Sequence, residues 1–98
     1  TANTLACAEG GATELDCCIN GYGDEAGNAA LEEVAVSLEA LYGVDTGLDL
    51  SLLNKYSKLA EEKGKIPIQP HKAVVGFSPL SMQTTVLPST RPIIGALA

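Results

Sequence analysis

Residues 20 to 28 form the part of the sequence best suited to chemistry. This stretch reads NGYGDEAGN, and its glycines and short polar residues predict an irregular loop that carries a site or lets backbone segments approach closely. Asn20 and Asp24 are candidates to orient a bound molecule, with hydrogen bonding inside the loop as the alternative role. A phosphate cradle has weak support, because neither the P-loop spacing nor a GxGxxG match is present. Asn28 stands where it can cap a following helix.

The cysteines and the single histidine carry less functional signal. Cys7, Cys17 and Cys18 are odd in number and match no two-residue zinc spacing, so we expect reduced thiols. Cys17 and Cys18 alternate between the faces of a predicted strand and are interpreted as small packing residues. His71 directly follows Pro70 and is expected at the surface.

The elements before the loop follow from the spacing of apolar residues. Residues 2–9 predict a helix that ends at Gly10-Gly11, and residues 13–19 predict a short strand. The strand, the loop and the following helix then make one βα unit. In α/β folds, catalytic groups sit on loops at the carboxyl ends of strands, so the loop at 20–28 is well placed for a site.

Two amphipathic helices in series follow the loop. The first is capped by Asn28 and stopped by Gly43, and the second is capped by Asp49 and ended by Gly64. The predicted apolar face of the first comprises Ala30, Leu31, Val34, Leu38, Leu41 and Tyr42, with Glu32, Glu33 and Glu39 on its solvated side. The predicted apolar face of the second comprises Leu50, Leu53, Tyr56, Leu59 and Ala60.

Composition and charge limit the possible functions. The chain has 98 residues, 46% of them hydrophobic, and a net charge of −6. This composition predicts a folded domain, and the length is too short for a complete enzyme barrel. Clustered cations are absent, which argues against nucleic acid as a partner. Neither a membrane span nor a signal peptide is evident, so we expect a soluble cytoplasmic protein. The start at Thr1, inside an apparent helix, predicts a piece of a longer chain.

Several motifs together resemble one enzyme family. Residues 19–34 read INGYGDEAGNAALEEV and are similar to the family pattern I-N-G-x-G-E-R-A-G-N followed by A-x-L-E-E-V. Residues 2–6 (ANTLA) match a usual A-N-S-L-A, and residues 67–76 (PIQPHKAVVG) match P-x-Q-x-N-K-A-I-V-G. The family is that of 2-isopropylmalate, homocitrate, citramalate and Re-type citrate synthases, and the resemblance covers residues 1 to 76.

The resemblance implies an α/β fold, namely the last βα unit of a (β/α)8 TIM barrel and the helix that follows it, without a closed barrel. Residues 1–64 would be the C-terminal fragment of the catalytic barrel, residues 65–76 an extended linker after it, and residues 77–98 a divergent tail. The partners would be the rest of the barrel or a second copy of the chain.

The resemblance also implies a reaction and a site. The family condenses acetyl-CoA with a 2-oxo acid, assisted by a divalent metal (Mg²⁺, Mn²⁺ or Zn²⁺) that acts as a Lewis acid. Asn28 maps onto the one family metal ligand present here, and Asn20, Gly21, Gly23 and Asp24 map onto the substrate-binding loop. Leucine biosynthesis is the default pathway, with a homocitrate, citramalate or Re-citrate synthase fragment, or a non-catalytic helical association module, as alternatives. The isolated chain is expected to be inactive.

Two departures from the family pattern bear on substrate binding. Asp24 and Glu25 stand where the family has Glu-Arg, which removes a cation that would suit an anionic substrate. His71 stands where the family has Asn, so no catalytic role is carried over to it.

Overall fold

The computed structural model describes residues 1–77, which belong to two compact units. The first unit is Thr1–Thr46 and the second begins at Gly47. The predicted tail at 77–98 lies outside the described residues apart from Phe77. Within 1–77 the regular elements are helical: α1 (Ala2–Glu9), α2 (Leu31–Tyr42) and α3 (Leu53–Gly64), with single 3₁₀ turns at Ile19–Gly21 and Leu50–Leu52.

Helices α1 and α2 of the first unit run side by side in the same direction. At their N-terminal ends, the Thr1 hydroxyl donates to Glu33 Oε1 over 2.6 Å. At their C-terminal ends, the Tyr42 hydroxyl donates to Glu9 Oε1 over 2.7 Å, and this bond raises the pKa of the Tyr42 phenol. The chain between two parallel helices must return along them, so residues 12–18 run back from the end of α1 to the start of α2.

This return segment was predicted to be a strand, and that prediction is wrong for the structure described. Residues 12–17 lie outside regular secondary structure, and a single parallel bridge joins Cys18 to Ala30. A strand is defined by a ladder of hydrogen bonds to a neighbouring strand, and residues 1–77 provide no second strand for it. The described residues are therefore helical and do not form a closed barrel.

The predicted boundaries of α1 and the end of α2 are confirmed. Helix α1 spans Ala2–Glu9, and Gly11 after it takes a left-handed conformation with φ 107°. Gly43 ends α2 with φ 67°, and the N–H of Val44 then donates to the Leu38 carbonyl over 2.9 Å.

The predicted apolar face of α2 is only partly buried. Val34 is buried as expected, but Leu41 is 77% exposed and Tyr42 is also exposed. The buried face is instead rotated toward Glu32 and Ala35. The pattern of apolar residues locates an amphipathic stripe, but which part of it is covered depends on the elements that pack there.

Asp49, predicted to cap the second amphipathic helix, instead caps the 3₁₀ turn that precedes it, and α3 itself begins at Leu53 without a side-chain cap. Asp49 Oδ1 accepts a hydrogen bond from the Ser51 backbone N–H over 3.0 Å, and the 3₁₀ turn Leu50–Leu52 leads into α3. Gly64 is the last residue of α3, and Lys65 rather than the glycine takes the left-handed position, with φ 56°. The predicted end is therefore displaced by one residue.

The burial of α3 also differs from the prediction. Leu53 is buried, but Tyr56 and Leu59 are each 45% exposed, and the fully buried position is Ser57. After α3, residues 66–69 form no regular structure, and the N–H of Ile68 is held by the Glu61 carboxylate. His71 is exposed, as expected. None of the helices in residues 1–77 has the length and apolar character needed to cross a membrane.

Candidate functional site

The glycine-rich loop is closed at its base by two backbone hydrogen bonds. The Cys18 N–H donates to the Ala29 carbonyl and the Leu31 N–H donates to the Cys18 carbonyl, each over 2.9 Å. These bonds join the residue before the loop to the first residue of α2. The loop of residues 19–29 is therefore held at both ends.

The entry to the loop is a tight turn with two left-handed residues. Asn20 has φ 60° and Gly21 has φ 72°. Asparagine is one of the few non-glycine residues that tolerate this conformation, which explains an Asn-Gly pair here. The Gly21 N–H donates to the Cys18 carbonyl over 3.0 Å, and the Tyr22 N–H donates to the Ile19 carbonyl over 3.1 Å. Asn20 is buried, so it belongs to the foundation of the loop rather than to its open surface.

Glu32 holds this turn from the first turn of α2. Its Oε2 accepts a hydrogen bond from the backbone N–H of Asn20 over 3.0 Å, and its side chain is only 1% exposed. The prediction that Glu32 lies on the solvated side of the helix is therefore wrong. Ala35, three residues on and on the same face, is buried too, and this small apolar neighbour is the sequence signal that could have identified the position.

Asn28 lies in the interior of the loop and is half-buried. Its Nδ2 donates to the Glu25 carbonyl over 2.7 Å. A Cβ built on Gly23 would overlap the Asn28 amide, and a Cβ on Gly21 would stand 3.1 Å from the Asn28 carbonyl oxygen. Both glycines are therefore needed for the close approach of Asn28, and the predicted residues Gly21, Gly23 and Asn28 do come together.

Asn28 does not cap the helix, although the sequence allowed that role. Helix α2 begins at Leu31 with Ala30 as its N-cap residue, and no side chain caps it. The N–H of Leu31, to which an N-cap at Asn28 would bond, is already bonded to the Cys18 carbonyl. The Asn28 amide is thereby left to the loop, with its orientation set by Glu25.

The outer part of the loop is open to solvent. Asp24 and Glu25 are exposed, together with Ala26 and Gly27. Asp24 is therefore placed at the loop surface and Asn20 at its buried base, so these two predicted site residues differ in environment. Any molecule that reaches the loop meets two carboxylates there.

The loop offers one oxygen ligand that suits a divalent metal. Asn28 offers one amide oxygen of the hard type that Mg²⁺ and Mn²⁺ accept, and the bond from its Nδ2 to Glu25 fixes the amide plane. Within residues 1–77 there is no group of three or more His, Cys, Asp and Glu side chains placed to hold a metal. Asn28 therefore fits as a single ligand, and the described residues do not complete a metal site by themselves.

Charge is unevenly distributed along the chain. Nine of the twelve acidic side chains lie in residues 1–46, while all six Lys and Arg and the one His lie after residue 46. The unit that contains the loop therefore has no cationic side chain of its own. Anionic groups that bind near the loop must find their cations outside this unit.

The cysteines next to the loop are half-buried free thiols. Burial, together with the nearby Cys18 and Asp16, raises the pKa of the Cys17 thiol. A raised pKa reduces the thiolate fraction at neutral pH, and the thiolate is the nucleophile. This agrees with the interpretation of Cys17 as a packing residue.

Comparisons with known proteins identify the family. The family model described as HMGL-like matches residues 1–60. The chain is 48% identical over 75 residues to 2-isopropylmalate synthase of Methanocaldococcus jannaschii, which covers 76% of this chain and 14% of the relative. It is 47% identical over 75 residues to homocitrate synthase AksA of Methanopyrus kandleri, covering 76% of this chain and 19% of the relative.

A third relative extends the match along the chain. The 2-isopropylmalate synthase of Neisseria meningitidis (strain MC58) is 39% identical over 88 residues, covering 87% of this chain and 17% of the relative. The chain thus spans less than a fifth of the length of these relatives. No solved structure matches it. The family model covers more than half of the chain, and the chain therefore belongs to the HMGL-like family.

Proposed function

We propose that this chain is part of an acyltransferase that condenses acetyl-CoA with a 2-oxo acid, and that residues 19–31 supply one wall of its active site. The observation that carries the proposal is the arrangement of Asn28. Its amide lies against Gly23, is oriented by Glu25, and belongs to a loop closed on the Cys18–Ala30 bridge. Relatives named 2-isopropylmalate and homocitrate synthase support the reaction class.

In this proposal the chain's own residues bind and orient. Asn28 supplies one amide oxygen to a divalent metal, and the other ligands come from residues outside 1–77. A bound metal would polarise the keto group of the 2-oxo acid. Gly21 and Gly23 let the Asn28 backbone and side chain approach the turn, and Asp24 lines the open surface of the loop.

Substrate charge sets a further requirement. Acetyl-CoA and 2-oxo acids are anions, and residues 1–46 contain no Lys, Arg or His. Glu25 stands where the family pattern has Arg, and it adds a negative charge to the loop surface. We therefore assign the cations that bind these substrates to residues outside the first unit.

The proposed substrate class is that of the 2-oxo acids as a group. Products of the 2-isopropylmalate type, and hence leucine biosynthesis, are compatible with the relatives, and so are homocitrate, citramalate and Re-citrate formation. We also propose that residues 1–64 derive from a catalytic barrel, with 65–76 as a linker after it. The reduced thiols fit a cytoplasmic location.

A second candidate is a non-catalytic association module. It is favoured by the exposed apolar stripe Leu52, Tyr56 and Leu59, spaced at three and four residues at the start and along one side of α3. In that case Asn28 serves only the shape of the loop, and metal ions bind no more strongly there than at any other acidic surface.

A Mn²⁺ titration followed by NMR tests the ligand role. We expect signals of Gly23 and of the Asn28 side chain to broaden at lower Mn²⁺ concentration than those of Asn3, with enhancement by an added 2-oxo acid. Asn28→Ala should abolish the preference, while Asn3→Ala, at an exposed position in α1, should not.

The neighbouring carboxylates supply the decisive control. Asp24 is exposed beside this region and could attract Mn²⁺ without any role for Asn28. If Asp24→Asn removes the broadening and Asn28→Ala leaves it, the ligand assignment is contradicted. The association module would then be the better description.

A further inference from the structure

We propose that Glu32 is the residue that positions the active-site loop, holding its entry turn in the shape that Asn28 requires. That the loop belongs to an active site rests on the proposed function. The hydrogen bond between Glu32 and Asn20, and its effect on Asn28, do not depend on that function. The Glu32 carboxylate, in a residue that is 1% exposed, accepts a hydrogen bond from the backbone N–H of Asn20 on the other side of the loop.

The connection from Glu32 to Asn28 passes through the turn at the loop entry. Glu32 Oε2 holds the N–H of Asn20 at 3.0 Å, and Asn20 is left-handed with φ 60°. Gly21 follows, also left-handed, and its Cα lies so close to the Asn28 carbonyl oxygen that an added Cβ would stand 3.1 Å from it. A rotation of the turn at Asn20 would therefore displace the wall against which Asn28 packs.

A hydrogen-bond acceptor is required at this position, and a carboxylate is a strong one. The N–H of Asn20 belongs to a buried residue and has to be bonded, because an unpaired buried donor is strongly unfavourable. An apolar side chain in place of Glu32 would fill the space without accepting this bond. A charged acceptor makes the stronger hydrogen bond, which favours one shape of the turn.

Glu33 provides the comparison that separates this role from a helix-dipole effect. Both glutamates lie in the first turn of α2, where negative charge is favourable for any helix. Glu33, however, accepts a hydrogen bond from the Thr1 hydroxyl and takes part in the contact with α1. Removing either charge has a similar effect on the dipole, but the bond to the N–H of Asn20 belongs to Glu32.

The test uses the full chain labelled with ¹⁵N. Variants Glu32→Ala, Glu32→Gln, Glu33→Ala and Glu33→Gln are compared with the parent by circular dichroism, by hydrogen exchange of the Asn20 amide, and by the chemical shifts of the Asn28 Nδ2 protons. We expect Glu32→Ala to speed exchange at Asn20 by about tenfold and to move the Asn28 signals toward those of a free amide, with helix content retained.

The conservative variant should give an intermediate result. Its neutral amide oxygen is a weaker acceptor, so Glu32→Gln should speed exchange at Asn20 by about two- to fivefold and shift the Asn28 signals part of the way. The Glu33 variants should leave both readouts at the parent values. If Glu32→Ala does not fold, the comparison of Glu32→Gln with Glu33→Gln decides the matter.

Two outcomes would overturn the inference. One is a folded Glu32 variant with unchanged Asn28 signals, and the other is an equal effect of the Glu33 variants, which would indicate the helix dipole. The Mn²⁺ titration of the parent chain is a separate readout. Its failure would remove the ligand role of Asn28 and leave the positioning result for Glu32 intact.

Discussion

Asn28 is the residue around which the loop is built. Its side chain lies against Gly23, its carbonyl lies against Gly21, and its amide is fixed by the Glu25 carbonyl. The two glycines are thus explained by one neighbour, through two different atoms. Gly21 also needs its left-handed φ of 72°, whereas Gly23 is limited by space alone.

Substitution of Gly23 tests this arrangement at the residue scale. Gly23→Ala should lower the free energy of unfolding by about 1–3 kcal/mol, because the added methyl group overlaps the Asn28 amide and the loop must shift. Urea unfolding followed by circular dichroism measures the change.

The matched control is the double variant with Asn28→Ala. Removing the amide makes room for the methyl group. In the Asn28→Ala background, Gly23→Ala should therefore lower the free energy of unfolding by about 1 kcal/mol less than it does in the parent chain. Strict additivity of the two substitutions would show that Gly23 and Asn28 do not compete for the same space.

At the scale of the elements, α1 and α2 form a parallel pair held at both ends. The Thr1–Glu33 bond joins their N-terminal ends and the Tyr42–Glu9 bond joins their C-terminal ends. Eight residues of helix rise about 12 Å, and residues 33 to 42 of α2 span a similar length. The matching lengths explain why both end contacts can form at once.

The glycines that follow these two helices make a matched pair for a prediction. Gly43→Ala should lower the free energy of unfolding by about 1–2 kcal/mol, since Gly43 has φ 67° and a Cβ is disfavoured in that conformation. Gly10 has φ −77°, and a Cβ there would make only ordinary contacts at 3.4 and 3.5 Å.

Gly10→Ala should therefore be neutral or stabilise by up to about 1 kcal/mol, by restricting the unfolded chain. Thermal unfolding of both variants, monitored at a helix wavelength, provides the measurement. Equal losses of stability in Gly43→Ala and Gly10→Ala would contradict the assignment of left-handed backbone strain to Gly43 and not to Gly10.

At the scale of the whole molecule, the length of the chain and the charge of its first unit both indicate that the proposed site needs further residues. The chain covers between 14% and 19% of the three relatives described, and its first unit has acidic side chains without a cation. A site for two anionic substrates therefore needs further residues. In addition, residues 12–17, which return from α1 toward α2, lie outside regular secondary structure in the part of the chain that the structure describes.

The purified chain should accordingly show no turnover of acetyl-CoA with any 2-oxo acid. Release of CoA should be followed by chromatography, because the exposed Cys7 would itself react with a thiol reagent. A full-length 2-isopropylmalate synthase serves as the positive control. Turnover that depends on Asn28 in the chain alone would refute the proposal that its site is completed from outside.

The sequence alone determined the features that arise from near neighbours along the chain. Helix α1, the stop at Gly43, the turn cap at Asp49 and the irregular loop follow from local propensity and from glycine chemistry. The motif around residues 19–34 indicated the family, which the comparison of residues 1–60 confirms.

Tertiary structure decided which of these residues are buried and what they touch. It placed Glu32 under the loop instead of in solvent, left Leu41 exposed, and gave the Leu31 N–H to Cys18 instead of to a cap at Asn28. The predicted strand also depended on a partner. Burial and ladder formation require groups that are distant in sequence, and a pattern read along one chain does not contain their positions.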